Sequence, residues 1–171
     1  LEMVAAFRLE DAETPVVLMG YLNPIEAMGD EAFAEQASLS GVDGLITVNL
    51  PPEEAGPLAM ALQEKEIDLI YLLAPTTTDA RAVAVCQASR GFVYYVSLKG
   101  TTGSGSLDIK AVCERVAHLK AKTPLPLFVG FGIKDGATAA PIAEVADGVV
   151  VGSAIVTLMG EFEASPQALK L

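Results

Sequence analysis

Tryptophan is absent from this sequence, histidine occurs once, cysteine occurs twice, and 11 basic residues face 22 acidic ones. Each scarcity narrows the function. A net charge of −11 repels nucleic acid and anionic lipid, so neither is expected as a partner. It also repels a phosphorylated ligand at long range. A phosphate site must therefore act locally, through backbone N–H groups rather than a basic patch. Cys86 and Cys113 lie in stretches that read as helix (AVAVCQAS and IKAVCERV) and lack metal-ligand spacing. Buried, reduced thiols are expected there, with neither a disulfide nor a metal site. No apolar run reaches the ~18 residues of a membrane span, and no signal peptide is evident. A soluble protein of the reducing cytoplasm is the expectation.

The chain is 51% hydrophobic and 19% charged over 171 residues, which suits one globular core and is short for two ordinary domains. One phrase recurs along it: a short apolar run, a turn rich in Gly, Pro or Asp, then an Ala-rich amphipathic stretch. The runs are VVLMGY (16–21), GLITVNL (44–50), DLIYLL (68–73), FVYYVS (92–97), LFVGF (127–131) and GVVV (148–151). They are continuous rather than alternating, as strands buried on both faces of a parallel sheet are. Helices are predicted near 27–40, 52–65, 77–89, 108–121 and 135–145, with a last one starting near Ser153. Residues 1–8, opening Leu1-Glu2-Met3-Val4 without an initiator methionine, read as the tail of an earlier helix. Pro51-Pro52 and Ser106 are the expected starts of their helices. The alternation indicates right-handed βαβ units. A doubly wound sheet is complete with five or six strands, whereas a (β/α)8 barrel needs eight and usually about 250 residues. Periodicity leaves both open.

In either fold, functional groups gather where the strands finish. Three loops stand out there: Lys99-Gly100-Thr101-Thr102-Gly103-Ser104-Gly105-Ser106, Gly130-Phe131-Gly132-Ile133-Lys134, and Val151-Gly152-Ser153-Ala154. Glycine lets the backbone approach an anion, and N–H groups at a helix start point at it. Ser153 sits where a helix begins, so its N–H and hydroxyl can both donate. Neither a GxxxxGK[ST] loop nor a GxGxxG after the first run is present, which weakens a nucleotide reading.

Met19, Tyr21, Ile46, Val48, Leu72, Tyr94 and Phe131 fall toward the same mouth. They can line a pocket for a flat aromatic group or fill a core. Tyr94 is the better ligand candidate, because a buried hydroxyl needs a partner. Acid–base groups are scarce. His118 lies in a helix far from any strand end, Asp43 precedes its strand, and Glu53-Glu54 read as an acidic first helical turn. No pair of catalytic carboxylates emerges.

The stretches PVVLMGYLNP (15–24), GVDGLITVNLPPEE (41–54), GFVYYVSLKGTTGSG (91–105), FVGFGI (128–133) and VVVGSAIV (149–156) occur in order, and together they resemble the tryptophan synthase alpha chain family. The resemblance implies a partial (β/α)8 TIM barrel spanning 1–171 as a single domain, with the six runs as parallel strands three to eight. It implies retro-aldol cleavage of indole-3-glycerol phosphate to indole and glyceraldehyde 3-phosphate, without metal or organic cofactor. It also implies transfer of indole to a beta subunit in an α2β2 complex. Residue by residue, Gly103, Gly132, Gly152 and Ser153 fall at the phosphate cradle. Tyr94, Phe131, Met19 and Ile46 fall at the indole pocket. Thr102 falls on the mobile-loop threonine that orders the closed site, and Asn23 and Pro51 fall on loops facing the beta subunit. The family's catalytic glutamate and aspartate fall before Leu1, so no catalytic residue is expected here. The family's usual Pro-Asp-Leu-Pro reads Val48-Asn49-Leu50-Pro51, and its arginine before the mobile loop reads Leu98. Two further readings stand beside this one. The first is a non-catalytic barrel that binds phosphate or contacts a beta subunit. The second is a doubly wound ligand-binding module.

Overall fold

The computed structural model describes residues 1–97, 108–130 and 132–161. The chain forms two compact units, Leu1–Leu73 with Thr78–Val93 and Ala74–Thr77 with Tyr94–Leu171. The first carries α1 (Glu2–Arg8), β1 (Val17–Gly20), α2 (Asn23–Met28), α3 (Asp30–Ser40), β2 (Gly44–Thr47), α4 (Gly56–Glu64), β3 (Asp68–Ile70), β4 (Leu72–Leu73) and α5 (Asp79–Ala88). From Val93 onward follow β5 (Val93–Val96), α6 (Ile109–Lys120), β6 (Leu127–Gly130), α7 (Gly136–Ala143), β7 (Gly148–Val150) and α8 (Ser153–Glu161). The strands lie in two sheets, each in sequence order: β1-β2-β3 and β4-β5-β6-β7. β1 and β2, β2 and β3, and β6 and β7 pair in parallel. A doubly wound sheet reverses its strand order part-way. Neither sheet does, and that alternative falls.

In the first sheet Met19, Ile46 and Ile70 are register partners, as are Leu18, Leu45 and Leu69. Register partners project to one face, so these are alternate layers, and the sheet is covered on both sides at its central strand. All four residues of β2 are buried accordingly. A Cβ on Gly44 would lie 2.9 Å from Ile70 Cδ1 and 3.2 Å from Val17 Cγ2, so those side chains would have to give way. Helices cover the sheets through apolar stripes, with Phe33, Ala34 and Ala37 buried on α3 and Val112, Val116 and Leu119 on α6. Asp108 caps α6 by accepting from Ala111 N–H, and Asp135 forms a capping box with Thr138 on α7.

Three expectations need correction. The helix predicted over 27–40 is two helices, divided at Gly29, whose φ of 90° no helix accommodates. The run 68–73 is two strands, interrupted at the buried Tyr71. Pro51-Pro52 does not start a helix. Residues 51–55 turn first, and α4 begins at Gly56 with Pro57 in its first turn. Glu53 and Glu54 therefore precede the helix rather than forming its acidic first turn.

Where the strands begin, the same latch is built twice. Asp43, directly before β2, accepts from Val16 N–H at 2.6 Å and from Arg8 at 2.5 Å. Arg8 also donates to the carbonyls of Gly41 and Thr14, at 2.8 and 2.7 Å. Asp147, directly before β7, accepts from Leu127 N–H at 2.9 Å and from Lys120 at 2.8 Å. In both, a cation from the helix preceding one strand and a backbone N–H at that strand's start (Val16 just before β1, Leu127 opening β6) share an aspartate that directly precedes the next strand. Asp43 is thus at the end away from the mouth, as expected.

Candidate functional site

The finishing ends of the strands are built differently. In the first unit β1 ends at Gly20, and its last register partner is Thr47. Val48 N–H donates to Gly20 O at 2.9 Å just beyond. Met19 and Tyr21 stand 49% and 62% exposed, whereas Ile46, level with Met19, is only 6% exposed. Met19 therefore offers open apolar surface, and Ile46 supports it as core. Leu72 is half-buried, and Val48 is exposed. Asn23 is exposed as the first residue of α2, and Pro51 is half-buried in the turn before α4.

One carboxylate near this end is engaged. Glu53 is ion-paired with Arg81 of α5. The guanidinium hydrogen bond holds the Glu53 carboxyl below its ordinary range. The ion pair thus favours the ionised form of Glu53. Burial, with a smaller push from the Glu53 charge, raises the pKa of Tyr71. His118 sits exposed on α6, as expected. Among the described residues, no three His, Cys, Asp or Glu side chains are grouped to hold a metal. Among the same residues, no helix is long and apolar enough to cross a membrane.

In the second unit Tyr94 is buried on β5 beside Gly130, the last residue of β6. A Cβ on Gly130 would overlap the Tyr94 ring, so the glycine is what admits the phenol. Burial raises the Tyr94 pKa, which keeps the hydroxyl protonated at neutral pH. Gly130 is braced from its other side by Ser97, whose Oγ and N–H both donate to Gly130 O, at 2.7 and 3.0 Å. Two residues on, Gly132 takes φ 81°, a conformation suited to glycine, and is exposed.

At the last loop Gly152 caps α8: its carbonyl accepts from Ile155 and Val156 N–H at 3.0 and 3.1 Å. Thr78, Asp108 and Asp135 cap their helices with side chains, but glycine has none to offer. The first N–H groups of α8, at Ser153 and Ala154, have no partner within the helix. A Cβ on Gly152 would meet nothing within 4 Å, and Gly152 and Ser153 are both exposed. Gly132, Gly152 and Ser153 are thus three exposed residues at the finishing ends of β6 and β7. Gly103, Thr102 and Phe131, the remaining candidates, lie outside the described residues. A groove of about 850 Å³ lies elsewhere in the first unit, floored by Met60 and Ala61 and rimmed by Asp30, Glu31 and Glu64. No candidate residue lines it.

A family model described as the tryptophan synthase alpha chain matches residues 1–170. The chain belongs to that family. It is 58% identical over 166 residues to a tryptophan synthase alpha chain of Thioalkalivibrio sulfidiphilus, covering 97% of this chain and 62% of that one. It is 52% identical to one from Marinobacter nauticus, covering 99% and 63%. Among solved structures, the alpha subunit of Legionella pneumophila superposes with TM-score 0.83 at 43% identity, covering 96% of this chain and 60% of that one. A chain of the tryptophan synthase α2β2 complex of Pyrococcus furiosus gives TM-score 0.83 at 38% identity, covering 94% and 64%. The chain thus spans about three fifths of the length of these alpha-chain relatives. The fold is that of the alpha-chain (β/α)8 barrel in part, as the resemblance implied.

Sequence reasoning missed two groups at these loops. Ser97 was read only as the end of an apolar run, yet it braces Gly130. Asn49 was read only as a lost carboxylate, yet its Oδ1 accepts from Leu22 N–H at 2.8 Å. Both bonds join residues far apart in the chain, and no local pattern announces them.

Proposed function

We propose that this chain is the substrate-holding part of an alpha-type lyase that cleaves indole-3-glycerol phosphate to indole and glyceraldehyde 3-phosphate. The observation that carries this reading is the opening of α8. In a member of the alpha-chain family, α8 opens on a glycine cap, so the Ser153 and Ala154 N–H groups have no partner within the helix, and Gly152 and Ser153 are exposed. Such donors at a helix start favour a phosphate despite the chain's negative charge. Gly132 supplies a further backbone approach, and Gly103 joins the cradle in this reading. Tyr94, Met19 and Ile46, with Phe131 and Thr102, are assigned to the indole end. Binding of remote groups of this kind positions the reacting bond and lowers the entropic part of the barrier. Glu53, tied to Arg81, is not assigned to the two proton transfers. Those transfers belong to groups other than these. The reading needs no metal or organic cofactor, because retro-aldol cleavage here runs on proton transfer alone. It takes residues 1–171 as one partial barrel domain. Its product, uncharged indole, passes to a tryptophan synthase beta subunit contacted by the loops of Asn23 and Pro51. A cytoplasmic setting belongs to the same reading, supported by the free thiols of Cys86 and Cys113.

The test is thermal stabilisation of the full-length gene product by glycerol phosphate. The parent protein should be stabilised, since a ligand that binds only the folded state raises its melting temperature. Gly152→Val should abolish the shift without unfolding the protein, because the new side chain enters open space. A Gly152→Val protein stabilised as well as the parent would overturn the phosphate assignment.

A further inference from the structure

Beyond the last paired residues of β1 and β2, Gly20 and Thr47, the two chains stay joined for two more steps. The first step is ordinary, Val48 N–H to Gly20 O at 2.9 Å. Leu22 N–H is the next donor along the first chain. By then residues 48 and 49 have entered a turn, and Asn49 Oδ1 takes the acceptor's place at 2.8 Å. A side chain thus continues the ladder where the backbone has turned away. The consequence is local and specific. Leu22 is the cap residue of α2, and its carbonyl accepts from Ile25 and Glu26 N–H at 2.9 and 3.0 Å. Tyr21, 62% exposed, is held between two crosslinks, one at Gly20 and one at Leu22. Met19 and Tyr21 are two apart along the run, and both stand open at this end.

We propose that Asn49 is a positioning residue for the indole end of the site, acting through Leu22 on the Met19-Gly20-Tyr21 lip. The inference rests on the proposed lyase function for its kinetic arm and on geometry alone for its structural arm. An acceptor oxygen is all the tether requires. The amide oxygen supplies it as a carboxylate oxygen would, so the tether needs no negative charge. The second oxygen of a carboxylate is replaced by an N–H2 group, which leaves a donor on the exposed side of the turn.

The experiment compares the full-length gene product with its Asn49→Ala and Asn49→Asp variants. Indole release is measured against indole-3-glycerol phosphate concentration, and backbone hydrogen exchange is followed at Leu22. Asn49→Ala should raise KM about five-fold, the size of one hydrogen bond, with kcat little changed and the glycerol phosphate melting shift intact. Leu22 should exchange faster by a similar factor. Asn49→Asp keeps the acceptor and should restore both to within about two-fold of the parent. An unchanged Leu22 exchange rate in Asn49→Ala would remove the tether. Faster exchange with parental KM would make Asn49 merely structural and overturn the proposal. Failure of Asn49→Asp to rescue would overturn the acceptor argument. A parent protein that releases no indole would instead sink the lyase reading, and the exchange arm would still decide whether the tether exists.

Discussion

The two ends of the strands use polar groups in opposite ways. Where strands begin, charge is consumed by structure: Asp43 holds Val16 and Arg8, and Asp147 holds Leu127 and Lys120. Where strands finish, Gly152 and Ser153 stand exposed at the start of α8, while Glu53 is bound by Arg81 and Asp135 caps α7 through Thr138. The difference separates stability from function along each strand. Substitutions at the starts should cost folding and spare ligand binding, whereas those at the finishes should do the reverse, unless they meet packed atoms.

Gly130 tests that exception and carries the largest expected effect. It lies at a finishing end, but Gly130→Val would drive a side chain into the Tyr94 ring. Overpacking of this kind should cost about 3 kcal/mol, read as a lower midpoint in urea unfolding of the full-length protein. A neutral result would mean that the ring moves aside freely.

The paired latches come next. Asp43→Ala removes an acceptor shared by a backbone N–H and a guanidinium that is only 16% exposed, and should cost about 2 kcal/mol. Asp147→Ala removes the corresponding acceptor from a lysine that is 38% exposed, and should cost about 1 kcal/mol. Both variants should keep the glycerol phosphate shift of the parent. Loss of that shift in either would break the division between the two ends.

A smaller effect lies in the pH dependence. Lys120 first, and then the Leu127 N–H, hold the Asp147 carboxyl below its ordinary range. The folded form therefore binds a proton less readily than the unfolded chain, whose aspartate titrates near about 3.9. The stabilisation is full above that value and is lost as pH falls through it toward the lower folded value. Asp147→Asn should remove this part of the acid slope, so the gap in melting temperature between variant and parent should shrink as pH drops below about 4. A constant gap would show that the latch does not act through charge.

Much of this arrangement was legible in the sequence. Continuous apolar runs such as GLITVNL marked buried parallel strands, because covering both faces removes any polar alternation. The glycine loops before and at Ser153 were legible because an anion site needs backbone access, and that need shows in composition. Other features depend on packing and carry no local signal. Gly29 divides a helix inside a stretch whose polar pattern runs on without a break. Pro51-Pro52-Glu53-Glu54 imitates a helix start, but the chain turns there, and Glu53 is matched to an arginine 28 residues away. The role of Asp43 requires knowing that Arg8 and Val16 meet in space. Asn49 looked like a loss because only its charge was weighed, whereas the structure uses its oxygen.

The central proposal is that these residues hold the substrate while groups outside them move its protons. Indole release from indole-3-glycerol phosphate tests it most directly, measured for the 171-residue chain and for the full-length gene product under the same conditions. Positioned acid–base groups contribute about 10²–10⁴-fold each, so the full-length protein should turn over and the 171-residue chain should release no detectable indole. Comparable turnover by the short chain would contradict the claim and place the chemistry within these residues. A silent full-length protein would contradict the lyase reading itself.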